Sequence, residues 1–320
     1  MVMNEVERAE TLLNCGSFRE GLSVLAHAAR KNDPEALIAL ATIALRGDIV
    51  RRDLPLSREL FRQAADAGSI PAGAAYRAFV ANGTGGPADW KSPIRLLEQA
   101  AIVDPQAQRE LTLIAAMQLS DTGEPLETFS TDRLSDSPEA TIFPSLFSEA
   151  ECGFLFAPPR SLLQRSRVVD PETGDLVANP VRTSDAASIP WVTETPAIHA
   201  LCRRLAKASG TTVKQGEPLQ ILRYRSGEEY RPHFDALEGV DNQRVLTFLV
   251  YLNDDFDGGE TCFMHSGLAV KGRTGDGLMF RNADHDGRSD PHSQHAGLPV
   301  LRGEKYVASR WIRQRPFGAD

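Results

Sequence analysis

The sequence predicts a multidomain chain of α and β parts: an N-terminal α-helical repeat domain followed by a C-terminal β-sandwich or barrel with flanking helices. Three observations carry this. The first 120 residues hold Ala and Leu at helical spacing, with almost no β-branched runs. Within them an Ala-Ala pair recurs every 36 residues, at Ala28-Ala29, Ala64-Ala65 and Ala100-Ala101. Beyond residue 139 the texture changes to short β-type runs separated by Gly- and Asp-rich turns. At 320 residues the chain has room for two cores.

The helical half is read from its period. Leu25, Phe61 and Leu97 stand three positions before the three Ala-Ala pairs, and Gly47 and Gly83 keep the same 36-residue interval. Pro34, Pro71 and Pro105 sit where the next helices begin. A fixed period in the thirties, with small residues where helices cross and a glycine to end the first helix of each pair, predicts stacked helix pairs. The segments Pro34-Glu35-Ala36-Leu37-Ile38-Ala39-Leu40 and Ala64-Ala65-Asp66-Ala67-Gly68 resemble the Sel-one-like class of tetratricopeptide repeats, in about three degenerate units. A plain helical bundle is the alternative. The helical domain is placed at residues 1–119.

Residues 120–138 are rich in Pro, Ser and Asp and read as a linker or an arm along the next domain. The second domain is placed at 139–320. Its β-type runs include Arg167-Val168-Val169, Leu219 to Tyr224, Val245 to Leu252, Gly277 to Phe280 and Tyr306 to Ile312. Two helices interrupt them, Ser148 to Phe156 and Thr195 to Ser209. Ser148 with Glu151 three residues on has the form of a capping box.

Composition narrows the function. A net charge of −8 argues against a dedicated nucleic-acid binder, which carries a basic face. No apolar run approaches the roughly 20 residues that span a bilayer, and the acidic start Met1 to Glu7 lacks the form of a secretory signal. The four cysteines are scattered without a C-x-x-C pair and read as small buried hydrophobes. A reducing cytoplasm is the expected compartment.

The chemistry lies in Tyr230-Arg231-Pro232-His233-Phe234-Asp235 and, far downstream, His295-Ala296-Gly297-Leu298-Pro299-Val300 followed by Lys305. Alternation in a strand sends His233 and Asp235 to one side. Two ligands from one strand and a histidine from a distant one occupy one face of an ion, leaving the other open, as in non-heme Fe(II) oxygenases. Five of the seven histidines fall between 233 and 295, so the third ligand has to be chosen, with His292 the near competitor of His295.

From Thr141 to Pro316 the chain resembles the catalytic domain of the prolyl 4-hydroxylases, within the iron and 2-oxoglutarate-dependent dioxygenases. The residues carrying this run in family order: Phe147 to Cys152; Ser166-Arg167-Val168-Val169 with Thr173-Gly174; Val181-Arg182-Thr183-Ser184; Arg223 to Asp235; Thr247 to Asn253; Gly258 to Phe263; and His295 to Val300 with Gly303 to Tyr306 and Trp311. Arg225-Ser226-Gly227 departs from the family's usual proline before glycine, and Tyr306 stands where tryptophan is common.

The resemblance implies a double-stranded β-helix, or jelly roll, with Fe(II) as cofactor, 2-oxoglutarate and O2 as co-substrates and ascorbate as a reductant. It selects His295, giving His233, Asp235 and His295 as metal ligands and catalytic centre. Lys305 is expected to pair with the 2-oxoglutarate 5-carboxylate, with Tyr224 adding a hydroxyl and Thr247 lining that end of the pocket. Arg182 and Trp311 are expected on the substrate side. Retention of Asp235 favours hydroxylation over the halogenation of relatives that lack this carboxylate.

The expected activity is hydroxylation of a peptidyl residue such as proline, coupled to decarboxylation of 2-oxoglutarate to succinate and CO2. The repeats would recruit the polypeptide. The alternatives are the same chemistry on a free amino acid or other small molecule, and a non-catalytic interaction module. No membrane or nucleic-acid partner is expected.

Overall fold

The 36-residue period becomes a run of helices, each packed on the next. In the computed structural model of the protein, which describes residues 3–156, 163–169, 176–178 and 181–318, the helices run Glu5–Asn14, Phe18–Ala29, Pro34–Arg46, Leu54–Asp66, Ile70–Asn82, Lys91–Ala100 and Pro105–Ala116. Each Ala-Ala pair ends one helix, and Pro34, Pro71 and Pro105 open the helix that follows. There the missing N–H costs nothing, because first-turn donors have no intrahelical partner. Asp33, Ser69 and Asp104 cap the same three helices through their side chains. Gly47 and Gly83 terminate two of them with φ of 75° and 82°, a left-handed conformation open to glycine at no steric cost. Leu25, Phe61 and Leu97 are all buried in this unit.

The chain divides into two compact units, Met1–Pro125 with Pro190–Ala200, and Leu126–Ile189 with Leu201–Asp320. The segment Pro190–Ala200 lies inside the stretch read as the second domain, yet it packs with the helices. The Asn82 amide donates to the Trp191 carbonyl at 2.8 Å, Val192 joins the core around Phe61 and Phe79, and the Ala197 N–H donates to buried Glu110 at 3.0 Å. Burial pushes the Glu110 carboxyl up from its ordinary range.

In the second unit eight antiparallel strands form a major sheet, in spatial order Asp132–Asp136, Glu139–Phe143, Gly277–Arg281, Arg244–Tyr251, Glu304–Arg313, Leu219–Arg225, Asp185–Ile189 and Gln164–Arg165. A minor sheet runs Ala269–Val270, Thr261–Phe263, His295–Gly297, Tyr230–His233. Tyr251, Phe263, Phe280 and Val300 fill the core of this unit. Two facing antiparallel sheets of this kind are the jelly roll. Asp132–Asp136, read as linker, is the edge strand of the major sheet; its polar residues are solvent-facing, so their composition reports exposure rather than lack of structure. The helix Glu149–Phe156 opens with the expected reciprocal bonds, Ser148 N–H to Glu151 and Glu151 N–H to Ser148. Cys152 and Cys202 are buried as expected, whereas Cys15 is exposed and Cys262 half-buried. Thr173-Gly174 lies outside the described residues.

Candidate active site

The minor sheet brings the two histidines together. His233 closes the strand Tyr230–His233, His295 opens His295–Gly297, and the register pairs them directly. Their ring centroids are 4.3 Å apart. Each imidazole is oriented by a backbone carbonyl, His233 Nδ1 by that of Arg231 at 2.8 Å and His295 Nδ1 by that of Ser293 at 2.9 Å. Nδ1–H donated this way leaves Nε2 with a free lone pair, the form that ligates a metal.

Both Nε2 atoms face Asp235. His233 Nε2 is 3.6 Å from Oδ1, and His295 Nε2 is 3.6 Å from Oδ2. Asp235 lies two residues beyond the strand end, and its buried carboxylate is fixed by Thr247, whose hydroxyl donates to Oδ2 at 2.6 Å. Burial would push this carboxyl up, but the neighbouring His233 and His295 and the Thr247 hydroxyl hold it well below the usual carboxylate range. Burial pushes His295 down to about 4, against the pull of Asp235, so its imidazole is neutral at pH 7. One ligand atom from each of the three side chains lies within 4.8 Å of the others. Two imidazole nitrogens and an ionised carboxylate fit Fe(II).

These residues line a cavity of about 450 Å³, counting the space at its mouth. Lys305 reaches the same cavity from the major-sheet strand Glu304–Arg313. Its ammonium is buried and donates to the Gly259 carbonyl at 2.7 Å, with the rings of Tyr224 and Tyr251 5.6 and 5.5 Å away. Among the described residues no carboxylate comes within ion-pair distance of it. Burial therefore lowers its pKa to about 8, with Glu260 pulling the other way. A buried ammonium beside π faces and one carbonyl is built to receive an anion. Tyr224 stands directly opposite Lys305 in the register, and burial raises its phenol well above the ordinary value.

Arg182 and Trp311 line the cavity as well. The Trp311 ring carries the Arg244 guanidinium 3.8 Å from its centroid, and Glu217 holds Arg244 through two hydrogen bonds of 2.6 and 2.9 Å. Arg182 donates to Ser166 and sits 5.5 Å over the Tyr230 ring. Thr247 is placed differently from expectation: it lies behind Asp235 and holds the carboxylate, instead of lining the Lys305 end. It is a strand residue whose hydroxyl meets the nearest charged acceptor. Two neighbours of the site were not anticipated. Tyr230 stacks on His233 with centroids 3.4 Å apart, because a bulge at Arg231-Pro232 puts residues three apart on one face. The proline inside a strand was the available sign. Asn282, which donates to Thr247, carries no sequence motif.

A family model described as the 2OG-Fe(II) oxygenase superfamily matches residues 219–313, which contain all three of these ligand-type side chains and Lys305. Prolyl 4-hydroxylase 1 of Arabidopsis thaliana is 38% identical over 201 residues, covering 57% of this chain and 71% of that protein. The chain belongs to the prolyl 4-hydroxylase family. Probable prolyl 4-hydroxylase 6 of the same plant is 33% identical over 231 residues, covering 64% of this chain and 80% of that one. Among solved structures, the viral collagen prolyl hydroxylase vCPH of Paramecium Bursaria Chlorella virus-1, in its 2OG complex, aligns at TM-score 0.45 and 26% identity over 55% of this chain and 96% of its own. A Sel1 repeat protein from Oxalobacter formigenes aligns at TM-score 0.31 and 25% identity over 34% of this chain and 85% of its own. As a family member the protein is a 2-oxoglutarate-dependent dioxygenase using Fe(II) and 2-oxoglutarate. Among the described residues no helix is long and apolar enough to cross a membrane.

Proposed function

We propose that this prolyl 4-hydroxylase family member hydroxylates a prolyl residue within a peptide or protein. His233 Nε2, His295 Nε2 and the Asp235 carboxylate hold the iron, and Lys305, helped by Tyr224, holds the 5-carboxylate of 2-oxoglutarate. The observation that carries the reading is one cavity lined both by the His-Asp-His cluster and by a buried ammonium that, among the described residues, has no carboxylate within ion-pair distance. When bound there, Fe(II) and 2-oxoglutarate supply an O2-dependent oxidation that yields succinate and CO2 and leaves one oxygen on the substrate.

The chain's own residues bind, orient and exclude water. Arg182, Tyr230 and Trp311 line the same cavity and supply a cation and two aromatic rings. Aromatic walls suit the compact, apolar ring of proline, and a guanidinium suits the carbonyls of the chain around it. The helical repeats are assigned the recruitment of that polypeptide.

The test is succinate release with a panel of proline-containing peptides, alongside free proline, with products weighed for the gain of one oxygen. Turnover on a peptide and none on free proline is the expected outcome. Turnover on free proline alone would replace the polypeptide with a small-molecule substrate.

Lys305 also gives the reaction a pH dependence. Only the ammonium form pairs with a carboxylate, and in the free enzyme this group titrates at about 8. Affinity for 2-oxoglutarate is therefore expected to be flat below that pH and to fall above it by up to about tenfold per unit. Calorimetric titration of the metal-loaded protein across this range checks it, and a flat profile through pH 9 would remove the assignment.

A further inference from the structure

Behind the cluster lies a polar residue that no catalytic role explains. Asn282 follows the strand Gly277–Arg281 and is 0% exposed. Its Nδ2 lies 2.8 Å from Thr247 Oγ1, which in turn lies 2.6 Å from Asp235 Oδ2. Its Oδ1 is buried with no hydrogen-bond partner among the described residues.

The proton inventory fixes the direction of this chain. The ionised Asp235 carboxylate only accepts, so the single Thr247 hydroxyl proton points to it. The hydroxyl oxygen must then accept from Asn282, which turns the amide nitrogen towards Thr247 and leaves the amide oxygen over. An apolar side chain of the same shape would avoid that buried, unpartnered oxygen. What the amide secures is the orientation of one hydroxyl.

We propose that Asn282 is a positioning residue of the metal centre, holding Asp235 through Thr247. Its backbone reaches a second ligand. The Asn282 carbonyl accepts the Asp290 N–H at 2.9 Å and lies 3.5 Å from Ser293 Oγ, and the Ser293 carbonyl orients His295. A side-chain substitution at Asn282 leaves this second branch in place and isolates the first.

The inference rests on Asp235 being a ligand, and the experiment separates the two. Co(II), followed by its visible absorption, is titrated into the full-length metal-free protein and variants, and the melting temperature of each metal-free form is measured. Asn282→Leu keeps the branched four-atom outline, though it is bulkier, and removes the amide; it is expected to weaken Co(II) by about 10- to 100-fold in a protein that still folds. Thr247→Val should match it, and the double variant should be no weaker than either single one, since both break the same chain. Should leucine fail to fold, Asn282→Ala carries the same expectation. Wild-type Co(II) affinity in Asn282→Leu, or additive losses in the double variant, reduces Asn282 to core packing. Asp235→Ala is the control: if it too binds Co(II) like the wild type, the ligand assignment itself has failed.

Discussion

Asp235→Ala is expected to give a folded protein with no measurable succinate release. Asp235 is the only carboxylate in the three-residue cluster, and its removal leaves two imidazoles and no anionic ligand, too little to hold a divalent ion firmly. The fold should survive because the carboxylate contributes no apolar packing; both sheets close around Tyr251, Phe263 and Phe280 instead. The cost is the Thr247 hydroxyl, left without its acceptor at 2.6 Å, a penalty of about 1–3 kcal/mol for a buried donor. That is a drop of several degrees in melting temperature for a domain of this size. Relief of a buried, desolvated charge offsets part of it. Succinate assays with added Fe(II), together with a melting curve, check both halves. Activity near wild type in a folded Asp235→Ala protein would remove the metal assignment outright.

Lys305→Ala should raise the 2-oxoglutarate requirement while leaving metal binding intact. The ammonium lies on the major sheet and the histidines on the minor one, so the substitution touches no side chain of the cluster. Removing one partner of a buried, hydrogen-bonded charge pair costs about 2–5 kcal/mol. At 1.4 kcal/mol per tenfold this is roughly a 30-fold to several-thousand-fold loss in affinity. Lys305→Arg should not restore it fully, because the bulkier fork has to fit between the Tyr224 and Tyr251 rings. The readouts are the 2-oxoglutarate KM and the Co(II) affinity of the same preparation. A KM within a few-fold of wild type would place the co-substrate carboxylate elsewhere.

His233 was legible from its place beside Asp235 in a strand-like run, whereas His295 and Lys305 came from the family resemblance, because spacing alone left His292 a rival and gave Lys305 no partner. The helical unit was legible for a related reason: a 36-residue period survives in small residues and glycines even when the units are degenerate. Thr247 was misplaced because strand periodicity gives a face but not the neighbour behind it, and its neighbour came from a loop twelve residues away in sequence. Tyr230 was missed because a bulge breaks the two-residue rule. Asp132–Asp136 was read as linker because exposed edge strands and linkers share a polar composition. Nothing in Pro190–Ala200 announces that it belongs with helices more than seventy residues upstream, since Asn82 and Glu110 reach it through contacts that leave no periodic trace.

That last segment has a consequence for how the protein is made. The helices emerge from the ribosome first, but the piece that accepts from Asn82 and donates to Glu110 follows only after residues 126–189. At 5–20 residues per second the wait from residue 125 to residue 200 is roughly 4–15 s. During it Glu110 lacks its Ala197 donor, and the core around Phe79 lacks Val192. The N-terminal unit is thus translated early and finished late, and a nascent chain stalled before residue 190 would carry its helices in an uncompleted state.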